Sequence, residues 1–427
     1  MKTELTNYEI FPKLVPQGQP VEVTIRPLGA HAAFAKSRYT VQFLPMTQSV
    51  EQMESAEYES VTAAPEADGS LRVRHAFPGE QEHYVRIHDD AHTVVTLSVY
   101  SLAPDLYGRV PMRGEFHSHS FRSDGREAPA IVAANYRKAG YDFMAVTDHE
   151  QWEPSQEAIE AYRGAPIDLR LFHGEEVHTP GNHIHIINFG GDFCVNSLAR
   201  DDEPAYLRDV AAIEANLGAL PEGVSATEYA MCLWSIEKIR QGGGMAIFCH
   251  PHWVANVYHV RDEMTRHVLS NMPFDAFELL GGQTVAENNM QTALYNDLRA
   301  QGARIAIVGA SDSHGTVNTQ WFGWSSTIVL ARSDSRDDII AAVREGYSAA
   351  VETYPGESFR AHGSYRMVSL TRFLLDQYFP LHDELCFEEG RAMKDFVCGD
   401  AAGLDMLRAT QGRTARLLAR CYGRREA

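Results

Sequence analysis

Residues 113–125 read RGEFHSHSFRSDG, a short strand ending in two histidines two apart, followed by a turn that carries an aspartate. Side chains two apart on a strand project to one face, so His117 and His119 can share one cation. Asp124 precedes Gly125, a glycine that permits the turn an unusual backbone angle. The same grammar returns in VTDH (146–149), HGEEVHT (173–179), HIHIINF (183–189), IFCHPH (247–252) and GASDSH (309–314). Six strand ends rich in His, Asp and Glu suit a cluster of Zn²⁺, Mn²⁺ or Fe²⁺. Strand ends on one face are also where α/β barrels place their chemistry.

Within these clusters the alternation of a strand ranks the candidates. His149 is the better ligand of the Asp148–His149 pair, and its neighbour points the other way as a cap or as a partner orienting a histidine. Of Glu175 and Glu176 only one can face the ligands, and a glutamate can bridge two cations with its two oxygens. His183 and His185, and Asp312 and His314, repeat the spacing of two. His250 closes its strand before Pro251, which fixes the chain's exit. His173, His178, His183, His252, His259 and Glu278 are read as hydrogen-bonding or surface groups.

Outward from the clusters, strands RGEFH, DFMAVTD, LRLFHGEE, HIHIINF, GMAIFCH, AFELL and RIAIVGA alternate with helical patterns. APAIVAANYRKAG ends at Gly140, and ATEYAMCLWSIEKIRQGG opens with Ser225 or Thr227 as cap. Such alternation predicts a parallel α/β barrel over residues 109–351. Phe193–Asp209 shows no period and is read as a loop or insertion over the barrel mouth. Residues 1–108 carry VEVTIRP, YTVQFLP, GSLRVRHAF, HYVRIHDD and HTVVTLSVY between Gly, Pro and Asp punctuation, a β-sandwich-like pattern. Residues 352–427 read as a helical extension.

The 427 residues carry 38 Lys and Arg against 57 Asp and Glu, a net charge of -19 with no basic stripe, which disfavours nucleic acid. An anionic small-molecule substrate is compatible, because bound cations reverse the local field. No apolar run reaches membrane length, and the first residues lack a secretory pattern. Six scattered cysteines without CxxC read as cytoplasmic thiols. A homo-oligomer is left open.

The motifs HSHSFRSDG, VTDH, GEE, HIHI, CHPH and GASDSH resemble, in order, those of the polymerase and histidinol phosphatase (PHP) superfamily. The β module ahead of them resembles the carbaryl-hydrolase-type branch. The resemblance implies a distorted (β/α)₇ barrel holding two or three divalent cations. It places His117, His119 and Asp312 on the first cation, and Asp124, His149 and His314 on the second. His185 and His250 fall to the third, with Glu176 bridging the first and third. HPHW, Arg126 and the neighbouring Glu175 depart from the family pattern.

The function expected is a metal-dependent hydrolase that activates a water bridging its cations, with phosphoesters first and carbamates, esters or amides second. Arg122 and Arg126 are candidate clamps for phosphate oxygens and His252 a candidate acid. A metal-binding module without catalysis is the alternative of another class.

Overall fold

The computed structural model describes residues 7–48 and 58–424. The chain forms two compact units. The first joins the segment up to Arg109 with Ser369–Leu385 and the segment from Gly412; the second holds Val110–Val368 and Cys386–Gln411.

The first unit carries two sheets. Tyr8–Phe11, Pro20–Pro27 and Leu71–Ala76 make one; Leu14–Pro16, Thr93–Leu102, Gln81–His88, Tyr39–Pro45 and Ser60–Ala63 make the other, in that order. Leu71, Val73 and His75 are buried while Arg72 and Arg74 are exposed, the alternation of a sheet with one covered face. Val23, Ile25 and Val73 from one sheet share a core with Val41, Val85, Ile87 and Val99 from the other.

The second unit departs from a closed parallel barrel. Its strands form a six-stranded sheet in the order Arg170–Phe172, Phe143–Ala145, Val110–Glu115, Ser325–Ala331, Ser348–Glu352, Arg360–His362. A five-stranded sheet follows the order Gly174–Val177, Ile186–Phe189, Met245–Phe248, Ala276–Leu280, Ile307–Gly309. Ile186–Phe189 runs antiparallel to both neighbours. The segment between it and Val177 is shorter than the crossover of about a dozen residues that a parallel neighbour needs. LRLFHGEE is two strands, one in each sheet, broken at His173. Gly174 makes the passage possible, since a Cβ there would lie 2.8 Å from Thr147 Cγ2 and 2.9 Å from Ala145 Cβ. At the ligand-bearing ends the sheets are joined by single parallel bridges, Ser118 to Ser313 and His149 to Glu176.

Helix Pro129–Lys138 starts with proline in its first turn and stops before Gly140, whose φ is 91°. Ser225, not Thr227, caps Ala226–Gln241 by accepting from the Glu228 amide. The stretch Phe193–Asp209 is not a loop. It holds helix Val195–Asp201 and most of Glu203–Ala215, capped by Cys194 and Asp202, with Tyr206 and Val210 buried. Two short helices meeting at Asp202 have no common period, which is why the sequence pattern was silent. Beyond Val351 the chain first completes strands Ser348–Glu352 and Arg360–His362, and then turns helical from Tyr365 to Cys421. Among the described residues no helix is long and apolar enough to cross a membrane, and all six cysteines are free.

Candidate metal centre

All nine expected ligands converge at the strand ends of the second unit. Glu176 is the hub and is fully buried. Its Oε2 lies 3.3 Å from His117 Nε2, 3.5 Å from His119 Nε2 and 2.8 Å from His149 Nδ1. Its Oε1 lies 2.7 Å from His185 Nδ1, 3.1 Å from His250 Nε2 and 3.4 Å from His178 Nε2. Asp312 Oδ1 stands 3.1 Å from His117 Nε2 and 2.9 Å from His119 Nε2. Asp124 forms the exposed rim, 3.5 Å from His149 and 3.2 Å from His314.

These separations fit cations. A metal about 2.1 Å from each ligand sets neighbouring ligand atoms about 3.0–3.4 Å apart. Three histidine nitrogens crowd Glu176 Oε2, yet that buried oxygen has no hydrogen-bond partner of acceptable geometry. His119, Asp124, His149 and His314 offer one four-ligand group, and His117, His119 and Glu176 another.

The electrostatics agree. Four carboxylates, Glu176, Glu278, Asp312 and Asp124, surround one set of rings, a concentration of charge that burial penalises without cations. Burial draws the His149 imidazole down, but hydrogen bonds to Asp124 and Glu176 outweigh it and lift it to about 10. Burial would raise the Asp312 carboxyl, yet His117 and His119 hold it far below the usual range. The backbone is strained at two ligands: His250 has φ 30° and Asp312 φ 47°, values that L-residues rarely adopt.

Surrounding residues fix the ligands. Glu278 Oε2 takes His117 Nδ1 at 2.8 Å, leaving the other ring nitrogen for the centre. Glu115 accepts the amides of Phe116, His117 and Ser311, and burial raises its carboxyl to about 7. Among the described residues Asp148 bonds to no histidine; it binds the amides and hydroxyls of Ser120 and Ser123, so it shapes the loop before Asp124. Glu175 turns away to Asn188, Val195 and Asn196, which leaves Glu176 to the centre. Gly125 corrects the expectation of an unusual φ, because it lies outside the positive-φ glycines. Its role is close approach: a Cβ would lie 2.7 Å from the His119 carbonyl.

No described hydrogen bond or ion pair joins the candidate catalytic side chains to the nine ligands. Arg122 pairs with Glu157 at 2.7 Å and lies over the Phe121 ring. Arg126 is exposed, with its stem beside Gly315. His252 is buried with its ring edge-on to Tyr258, and no described hydrogen bond or ion pair joins it to the nine. His178, expected as a hydrogen-bonding or surface group, touches Glu176 and stacks on His185 with ring centroids 3.5 Å apart. Cys249, read from the sequence only as one of six scattered thiols, has its Sγ 3.9 Å from Glu176 Oε1. Its place inside the IFCHPH motif was the one signal for it. A cavity of about 300 Å³ opens beside His178 and His185, lined also by Glu150, Asn182, His183, Asn196 and Arg200.

No family model matches the chain, and no curated protein matches it. Solved structures resemble it partially. A two-domain protein of Bacteroides vulgatus ATCC 8482, described as containing a PHP-like metal-dependent phosphoesterase, is 16% identical, with 58% of this chain and 67% of that chain covered and a TM-score of 0.41. A protein of Bifidobacterium adolescentis ATCC 15703, described as a metal-dependent phosphoesterase, is 18% identical over 49% of this chain and 90% of its own, with a TM-score of 0.34. An amidohydrolase of Chromobacterium violaceum with bound sulfate is 19% identical over 49% and 89%, with a TM-score of 0.31. The geometry of the centre stands independently of these partial likenesses.

Proposed function

We propose that this chain is a metal-dependent hydrolase of the PHP type that acts on phosphoesters. The observation that carries the reading is Glu176, a buried carboxylate whose two oxygens each face a separate set of histidines. That arrangement suits a carboxylate bridging two cations. Zn²⁺, Mn²⁺ or Fe²⁺ held there supplies Lewis acidity and an activated water. In this reading His117, His119 and Asp312 hold one position, Asp124, His149 and His314 the rim position, and His185 and His250 a third shared with Glu176. Residues 109–351 carry the chemistry, and 1–108 and 352–427 serve as flanking module and extension.

The phosphoester preference rests on the residues around the centre. The adjoining cavity is lined by Arg200, Asn182, Asn196, Thr179, Glu150 and three histidines, and by no Phe, Tyr or Trp, a polar lining that suits a hydrogen-bonding substrate with Arg200 as its cationic contact. Arg126 is the more available clamp, since Arg122 is engaged by Glu157. One observation favours carbamates or esters as a second reading. Trp253, Val254, Val257 and Tyr258 are exposed on the segment that follows His250, an apolar surface that an aryl leaving group would use.

The test is turnover by metal-reconstituted protein on phosphate monoesters, phosphodiesters and aryl carbamates, with Asp312→Ala as control. Phosphate release abolished by the substitution supports the proposal. Carbamate or ester cleavage alone moves the assignment to the second reading, and silence on the whole panel sinks both.

A further inference from the structure

The segment after His250 doubles back on itself. The Val260 amide donates to the Pro251 carbonyl at 3.1 Å, and the His259 amide to the Trp253 carbonyl at 2.7 Å. Val254 and Tyr258 form an antiparallel bridge between them. At its tip side the Val254 amide is held by Glu287 Oε1 at 2.8 Å. This closed hairpin brings His259 back to the centre from which the chain departed at His250.

The His259 ring meets His185 edge-on with centroids 4.1 Å apart and lies 5.7 Å from the His250 ring. The expected ligands pack at the same spacing, His119 to His314 at 4.2 Å and His117 to His250 at 5.4 Å. One ligand atom from each of His185, His250 and His259 lies within 4.8 Å of the other two. His259 Nε2 is buried and has no hydrogen-bond partner. A buried imidazole nitrogen left without a hydrogen-bond partner, on a ring grouped with two other histidines, is what a bound cation would account for.

We propose that His259 is a tenth ligand, completing with His185, His250 and Glu176 the shell of the cation on the hairpin side. The inference rests on the metal-centre reading above. It adds that the hairpin is tied to the centre by that cation, so that the exposed Trp253 and Tyr258 are positioned by metal loading. Glu176 with two histidines supplies three ligands, and a third histidine makes the four that a tetrahedral cation needs. His178 is the competitor, since its Nε2 also reaches Glu176 Oε1, at 3.4 Å.

The experiment is metal stoichiometry by inductively coupled plasma mass spectrometry on full-length wild type, His259→Ala, His259→Phe and His178→Ala, each loaded with Zn²⁺ and desalted. His259→Phe keeps a packed ring and removes only the nitrogens, and circular dichroism identifies any variant that has failed to fold. Both folded His259 variants are expected to hold one ion fewer than wild type, while His178→Ala holds the wild-type number. The inference is overturned if a folded His259→Phe keeps every ion, or if His178→Ala alone sheds one. A wild-type chain that binds no cation overturns the metal-centre reading itself, a distinct outcome.

Discussion

Glu278 Oε2 lies 2.8 Å from His117 Nδ1, while Nε2 of the same ring faces Asp312 at 3.1 Å. The carboxylate therefore sets both the tautomer and the aim of a ligand it never replaces. Glu278→Gln keeps the shape and removes the charge, and it is expected to weaken cation binding about 10–100-fold. Competition against a chromogenic chelator reads this directly. Unchanged affinity would deny Glu278 its orienting role.

Gly125 is required by the carbonyl of His119, against which a Cβ would clash. Gly125→Ala forces the turn bearing Asp124 outward, at a cost of about 1–3 kcal/mol. The metal-dependent rise in melting temperature should shrink in the variant, because the rim position loses its carboxylate. A variant with the wild-type rise would show that the turn tolerates the methyl group.

Arg137 is fully buried in the second unit, donating to Glu389 Oε2 at 2.8 and 2.7 Å and to the Tyr141 carbonyl at 2.9 Å. Arg137→Met leaves Glu389 buried without its cation, and breaking such a pair costs about 3–5 kcal/mol. Urea denaturation should show the loss. A change below about 1 kcal/mol would mean that Glu389 finds water or another partner.

His83 is buried in the core of the first unit, 2.8 Å from Ser101 Oγ, and burial followed by the charge of His75 lowers its imidazole to about 4. A depressed folded value means that the unfolded chain binds the proton first. The stability from this residue is complete above about 6.5 and is lost as pH falls toward 4. Its share of the loss between pH 7.5 and 5 is about 2 kcal/mol. His83→Gln should flatten that part of the profile in denaturant titrations, and a profile of unchanged slope would count against the assignment.

Much of the centre was legible because local rules reached it. A spacing of two placed His117 with His119, and alternation left only one of Glu175 and Glu176 to the centre, the choice of Glu176 coming from the family resemblance. Alternation failed where no strand exists. His183 precedes the strand at Ile186 and is exposed, while His185 joins the centre. Capping signals found Gly140 and Ser225 but not the two helices meeting at Asp202, of seven and thirteen residues, which share no common period across the break.

The sequence by itself determined which residues could bind cations and that most of them follow strands, since ligand chemistry and side-chain alternation are properties of a few adjacent residues. Tertiary structure decided the rest. The antiparallel return of Ile186–Phe189 depends on how a short connection can pair. The contact of Glu278 with His117 joins residues 161 positions apart, and that of His259 with His185 depends on a hairpin folding back. Such contacts are set by where whole strands come to lie, and no local pattern encodes that.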